Sequence, residues 1–150
     1  MNNFARQFLP AAVAAAAFLY VSTTSVFAVV DDAHTFAMEA AAPDAENGFE
    51  VRDDYWNGEM KSGGKELIRH QLFKGNQYAF WLGVSAEGEC VLDIKVYDAQ
   101  GKRIPVEAKS TGYYSTIHIA PPKTGSYFIV VSAKSAKGGK IPWALAYGYR

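Results

Sequence analysis

The sequence predicts an all-β protein, built as a sandwich of two antiparallel sheets with eight or nine short strands. From residue 49 onward, apolar and polar residues alternate in short runs, and turn residues separate these runs at roughly even spacing. Successive side chains of a strand point to opposite faces, so such runs are typical of half-buried antiparallel strands. No run in this region has the period and length of a long helix.

Each predicted strand ends at a turn or at a proline. Two short runs, FEVRDDY and WNGEM, come first, and the longer runs are 67–73, 77–84, 90–97, 103–109, 113–119, 126–133 and 143–149. Asp98-Ala99-Gln100-Gly101, between two of them, has the Asp and Gly positions of a type I turn. The positions predicted to face the core are Tyr78, Phe80, Leu82, Val84, Leu92, Ile94, Val96, Tyr127, Ile129, Val131, Trp143, Leu145 and Tyr147.

The first 28 residues have the organisation of a signal peptide. Arg6 is the only charged residue before Asp31, an apolar run covers residues 9–21, and Val26 and Ala28 occupy the positions that a signal peptidase reads. The apolar run is shorter than the roughly 20 residues of a membrane span, and an uncleaved anchor is the alternative. Cleavage would leave 150 − 28 = 122 residues, enough for one domain. We therefore expect a periplasmic or secreted protein that meets the membrane only through this segment.

Residues 29–48 are predicted to be an acidic, Ala-rich arm or linker, and residues 49–150 the sandwich domain. The Ala-rich part favours a short helix, which Pro43 and Asn47-Gly48 would end. Residues 29–60 hold nine acids and one Arg, a net charge of −8, whereas residues 61–150 hold thirteen Lys or Arg and six acids, a net charge of +7. The arm and the domain are expected to attract each other, or the domain to favour an anionic partner.

Four stretches of the chain resemble the bacterial pre-peptidase C-terminal (PPC) domain family. They are LFKGNQYAFWL, LDIKVYDAQGKRI, APPKTGSYFIVVSA and PWALAYGY, and the likeness covers about residues 59–149. The resemblance implies a jelly-roll-like sandwich that accompanies secreted peptidases and is not itself catalytic, although no peptidase sequence is present in these 150 residues. The shared motifs are turns and core aromatic residues, which specify a fold better than a function.

A second resemblance is to the periplasmic inhibitors of goose-type lysozyme. It is carried by YWNGEMKSGG and by the following Lys74-Gly75. The inhibitors are similarly small, exported sandwiches. Their contact residues do not match this chain one by one, so no inhibitory residue is carried over.

The residues that could carry chemistry form no recognisable catalytic or metal constellation. Ser62-Gly63-Gly64-Lys65 and Lys123-Thr124-Gly125 mimic motifs of penicillin-recognising enzymes, but the glycines favour a turn where that chemistry needs a helix. The histidines lack metal-ligand spacing, and His70 and His118 are interpreted as structural. Cys90, the single cysteine, begins an apolar strand and is interpreted as a buried, unreactive thiol. We expect no enzyme activity, metal or cofactor.

The candidate binding surface combines outward aromatic rings with a basic loop. Alternation places three rings on the non-core sides of their strands, where together they would form an exposed apolar patch. The alternative is that the arm or neighbouring loops cover these rings. The predicted ligand-binding residues are Trp81, Tyr114, Phe128, Lys134, Lys137 and Lys140.

These observations predict an exported, non-catalytic protein that binds an envelope or extracellular protein or glycan by aromatic burial and electrostatic steering. Three alternatives stay open: a lysozyme-type inhibitor whose loop plugs an enzyme cleft, a structural envelope protein that self-associates through a sheet edge, and an unrecognised hydrolase. A nucleic-acid partner is not expected, because the basic loop lacks interleaved aromatic residues.

Overall fold

The structure, a computed structural model, describes residues 26–150, with side chains from residue 32 onward. Two antiparallel β-sheets pack face to face, and one helix lies on the outer side of one sheet. The predicted signal peptide, residues 1–28, falls almost entirely outside the described residues and stays a prediction. Within the described part, no helix combines the length and the apolar character that crossing a membrane requires.

The prediction of an antiparallel β-sandwich is confirmed, with ten strands in the described residues instead of eight or nine. The additional strand arises because the predicted run 103–109 is divided into two short edge strands, one in each sheet. In chain order the elements are α1 (Val26–Glu46), β1 (Glu50–Val51), β2 (Trp56–Lys61), β3 (Lys65–Leu72), β4 (Tyr78–Val84), β5 (Cys90–Tyr97), β6 (Arg103–Ile104), β7 (Ala108–Ser110), β8 (Tyr114–Ile119), β9 (Gly125–Ser135) and β10 (Lys140–Tyr149).

The strands divide into a six-stranded sheet A and a four-stranded sheet B. Sheet A has the order β1-β10-β4-β8-β7, and β2 pairs with β10 beyond the end of β1. Sheet B has the order β3-β9-β5-β6. Consecutive strands such as β3 and β4 lie in different sheets, so their connections cross from one layer to the other.

The core between the sheets consists of the residues that alternation places inward. All thirteen positions predicted to face inward belong to one buried cluster. Leu92, Ile94 and Val96 on β5 are buried, whereas Asp93 and Lys95 between them point to the other side. Full burial of each large apolar side chain contributes roughly 1.5–3 kcal/mol, so this alternating set is the main source of stability.

The predicted turn at residues 98–101 is also present. The Gly101 backbone N–H donates to the Asp98 carbonyl at 3.0 Å, and Gly101 adopts φ +78°. The Asp98 carboxylate accepts from the backbone N–H groups of Gln100 and Lys102 at 3.0 and 2.8 Å. An aspartate that satisfies two turn amides explains why the chain reverses here.

The acidic arm forms a docked helix instead of a loose tether. Helix α1 continues past Pro43, contrary to the expectation that this proline ends it, and stops at Asn47-Gly48 as predicted. The Gly48 N–H donates to Ala45 O, the Phe49 N–H donates to Asp44 O, and Gly48 adopts φ +87°. This pair of bonds is a Schellman cap, which satisfies carbonyls of the last turn and ends the helix.

Helix α1 packs unusually close to sheet A because both partners carry small residues. Ala33, Ala37, Ala40 and Ala41 form its buried stripe, the i, i+4, i+7, i+8 spacing of one helical face. A Cβ atom added to Gly83 of β4 would lie only 2.0 Å from the Ala33 carbonyl oxygen and 2.4 Å from the Ala37 nitrogen. The glycine is therefore required where the helix backbone crosses the strand.

Candidate functional site

Trp81 lies on the outward side of β4, as predicted, but α1 covers it completely. Its side chain is 0% exposed and belongs to the cluster between α1 and sheet A. The indole N–H donates to one oxygen of Asp44 at 2.8 Å, and the other oxygen lies 2.9 Å from His118 Nε2. Trp81 is thus an anchor for the helix, and of the two alternatives for this ring the structure shows the covered one, with α1 as the cover.

Tyr114 and Phe128 lie on opposite sides of the molecule. Tyr114, on β8, is half-buried against the cluster beneath α1, whereas Phe128, on β9, is half-buried on the outer side of sheet B. The two sheets and the core lie between them. The structure therefore does not assemble Trp81, Tyr114 and Phe128 into one patch.

The outer side of sheet B is an uncovered surface, called here the open face. Leu67 and Val91 are 63% and 75% exposed on it. Across the sheet, strand register aligns Arg69 with Phe128, and Phe128 with Tyr97. The outward positions of this surface are Lys65, Leu67, Arg69, Gln71, Val91, Asp93, Lys95, Tyr97, Arg103, Ser126, Phe128, Val130, Ser132 and Lys134.

The open face is strongly cationic. It carries five cations, Lys65, Arg69, Lys95, Arg103 and Lys134, and one carboxylate, Asp93. The carboxylate is paired with Lys95 at 2.9 Å. The guanidinium of Arg69 donates to the Ser126 hydroxyl at 3.1 and 3.2 Å, so it is held beside the ring of Phe128. An apolar centre with a positive margin is the result.

The basic loop divides between two environments. Lys134 ends the outward row of β9 on the open face, while Lys137 lies in the connection to β10 and Lys140 is the first residue of β10. Lys137 pairs with Glu87 at 3.7 Å and Lys140 with Glu59 at 3.6 Å. Lys134 and Phe128 are the predicted binding residues that share one surface.

The reactive residue types are engaged in structural contacts. The hydroxyl of Ser62 donates to the Ser135 carbonyl and accepts from the Ser135 N–H, and residues 62–64 form a turn, as predicted. Cys90 is buried, and this burial raises the pKa of its thiol. In the described part of the chain, no three His, Cys, Asp or Glu side chains converge as a metal ion would require.

His70 faces inward, as predicted, but it lies at the border of a cleft that the sequence did not reveal. Its ring is 4.6 Å from Tyr147 and 5.2 Å from Trp56, centroid to centroid. Burial lowers the pKa of His70, and the neighbouring Asp54 opposes this effect. The alternation pattern placed His70 and Tyr147 inward one at a time, and could not show that they meet Trp56 at an open edge.

Comparisons with known proteins identify no family for this chain. No family model matches it, and no curated protein sequence matches it. The resemblance to the PPC domain family therefore stays a prediction.

Solved structures with similar folds include the following two. One is the periplasmic inhibitor of g-type lysozyme PliG from Aeromonas hydrophila, with a TM-score of 0.48 and 16% identity, covering 69% of this chain and 90% of that one. The other is the Bacillus licheniformis lipase BlEst2 in its propeptide form, with a TM-score of 0.43 and 17% identity, covering 63% of this chain and 21% of that one. Neither likeness identifies a function.

Proposed function

We propose that the protein is an exported, non-catalytic binding protein that holds an acidic protein partner on the open face. The supporting observation is an uncovered sheet surface that exposes Leu67 and Val91 among five cations and one paired carboxylate. Protein interfaces have an apolar centre and a polar rim, and are enriched in Tyr, Phe and Arg. A broad, flat sheet surface suits a protein partner better than a small ligand, which needs a concave site.

Each part of the open face has a distinct role in this proposal. The lysines steer an acidic partner toward the surface, which raises the association rate at low salt. Burial of Leu67, Phe128 and Tyr97 then supplies most of the affinity. Arg69, already held by Ser126, offers its guanidinium to a partner carboxylate.

The proposed site retains Phe128 and Lys134 of the residues predicted from the sequence. Lys137 and Lys140 lie beside it and are paired with acids, while Trp81 and Tyr114 serve the α1 side of the molecule. Export to the periplasm or beyond rests on the signal-peptide prediction for residues 1–28, and an envelope or extracellular protein is the partner that this location would supply.

Charge-reversal variants test the proposal. Arg69→Glu lies on the open face, and Lys109→Glu makes the same charge change on β7 of sheet A. Wild type and Lys109→Glu should capture the same envelope protein, and Arg69→Glu should lose it. With the purified pair, binding should weaken as salt rises. Equal capture by both variants, or binding that is insensitive to salt and to Phe128→Ala, would contradict the proposal.

Lysozyme inhibition is the second candidate. The sequence resemblance described above favours it, and the β3–β4 turn offers a suitable loop, with Phe73 53% exposed and Gly75 at φ +103°. A goose-type lysozyme assayed with one equivalent of the protein should then lose turnover, and Phe73→Ala should restore it. Full lysozyme activity at tenfold molar excess of the protein would eliminate this candidate.

A further inference from the structure

A second surface of the molecule is concave and aromatic. It opens at the sandwich edge where β3 of sheet B faces β1 and β10 of sheet A. This aromatic cleft has a volume of about 350 Å³ and is lined by Arg52, His70, Gln71, Phe73, Asn76, Tyr78, Tyr147 and Tyr149. Small-molecule sites have volumes of roughly 300–1,000 Å³, so the aromatic cleft has room for one small ligand unit.

The rings of the aromatic cleft are held in fixed positions. The Tyr78 hydroxyl accepts from the Phe73 backbone N–H at 3.1 Å and from the Asn76 side-chain amide at 3.3 Å. These bonds fix the turn that presents Phe73. On the opposite wall, Tyr149 lies 5.9 Å from Tyr78, centroid to centroid. Phe73 is 53% exposed, although a residue of this size gains most from burial.

The charged lining residue of the aromatic cleft, Arg52, is already engaged by two carboxylates. Arg52 donates to Glu50 at 2.9 Å and lies 3.9 Å from Asp54. The Tyr147 hydroxyl donates to Asp54 at 3.0 Å. The pKa of Tyr147 is raised, mainly by burial and secondly by this hydrogen bond. The lowered pKa of His70 keeps its ring neutral near pH 7, when it can both donate and accept. An anionic ligand would have to compete with Glu50 and Asp54 for Arg52, whereas hydroxyl groups would find both donors and acceptors.

We infer that the aromatic cleft binds one neutral sugar residue, packed against Phe73 and hydrogen-bonded by the polar groups at its mouth. A sugar ring has weakly positive C–H groups that pack on the negative face of an aromatic ring, and hydroxyls around its edge. Gln71 and Asn76 place side-chain amides beside Phe73, which suits those hydroxyls. This site adjoins the open face at Gln71, its other lining residues lie outside that surface, and neither proposal depends on the other.

The test uses three defined probes and the full protein. N,N′-diacetylchitobiose is the neutral sugar, a uronic-acid disaccharide is the anionic one, and choline is a cation that could also favour aromatic rings. Titration followed by amide NMR shifts should show saturable binding of the neutral disaccharide, with shifts at residues 70–78 and 147–149. Binding of choline or of the anionic disaccharide alone, or no shift with any probe, would overturn the inference.

Variants assign the binding to the aromatic cleft. Phe73→Ala should weaken binding of the neutral disaccharide at least about fivefold, because it removes the exposed ring face. Gln71→Ala, an exposed position on β3, should weaken it less without disturbing the fold. Tyr113→Ala removes another exposed ring, which stacks on Phe36 beside α1, and should leave binding unchanged. Unchanged affinity in both cleft variants, with native amide spectra, would also overturn the inference.

Discussion

On sheet A the outward residues lie beneath a helix, whereas on sheet B they face solvent. Both surfaces are formed by strands whose side chains point alternately into the core and outward. Sheet A places Ala79, Gly83, Ala146 and Gly148 on its outward side, with Trp81 among them. Sheet B places long or charged side chains such as Leu67, Arg69 and Phe128 there. Small outward residues allow the backbone of α1 to approach sheet A closely. The bulky outward residues of sheet B leave no room for a helix backbone at the same distance.

The difference separates a structural surface from a surface available for binding. Beneath α1, the carboxylate of Asp44 satisfies both the Trp81 indole and His118, so polar groups there are engaged internally. On the open face, most cations lie at exposed strand positions next to apolar side chains. If this contrast is correct, matched substitutions on the two sheets should have very different consequences for stability.

The largest contrast should come from the two outward aromatic residues. Trp81→Ala removes a fully buried ring and should lower the free energy of unfolding by about 3–5 kcal/mol. Phe128→Ala removes a half-buried ring from the open face and should cost about 1 kcal/mol or less. Urea unfolding followed by far-UV circular dichroism measures both. Similar losses for the two variants would show that the open face is covered in solution.

Substitution of two glycines, one beneath α1 and one on sheet B, tests the close approach of α1. Gly83→Ala would force a Cβ atom against the Ala33 carbonyl, so we expect a loss of about 1–3 kcal/mol or release of the helix. Release would appear as a change in tryptophan fluorescence, because Trp81 would meet water. Gly125→Ala is the control, since open space surrounds that position on β9, and its effect should stay within about 0.5 kcal/mol. A neutral Gly83→Ala would refute the docked arrangement.

The sequence predicted the strands better than the helix because the two signals differ in range. Alternation is local, and it placed Leu92, Ile94 and Val96 correctly without knowledge of any partner. The position of α1 depends on a contact between residues about 50 positions apart, such as Ala33 and Gly83. The signal for that contact was present, since small residues alternate with large ones in YAFWLGV and WALAYGY.

The candidate site was only partly predictable for the same reason. Alternation shows on which side of its strand a residue lies, so Phe128 was assigned to an outward surface, whereas Lys134 was assigned to a basic loop and in the structure extends the outward row of β9. It does not show which strands share a sheet, and that assignment decides whether Tyr114 and Phe128 are neighbours. The aromatic cleft depends on the approach of β3 to β10 and to Arg52, which follows β1, and this contact between the two sheets is visible only in the tertiary structure.

Two aspartates, one beneath α1 and one on the open face, extend the comparison to smaller effects. Asp44→Ala would leave the buried Trp81 N–H without its acceptor and should cost about 1–3 kcal/mol. Asp93→Ala on the open face removes an ion pair with Lys95 between partly exposed groups, and should cost less than about 1 kcal/mol. Thermal unfolding of both variants at the same pH gives the comparison. A larger loss for Asp93→Ala would mean that the open face contributes more to stability than its exposure indicates.

The smallest predicted effect concerns acid and His70, which belongs to neither outer surface. Burial lowers its pKa in the folded protein below the unfolded value of about 6.5. Between these two pKa values the unfolded chain binds a proton that the folded chain does not, so the contribution of His70 to stability is complete above about pH 6.5. This contribution is lost progressively as the pH falls through the folded pKa.

His70→Gln should therefore flatten the decline in unfolding free energy between about pH 7 and pH 5, measured by urea titration at several pH values. Identical slopes for His70→Gln and wild type would mean that the imidazole is hydrated in the folded protein, and that the aromatic cleft is wetter than its ring contacts indicate.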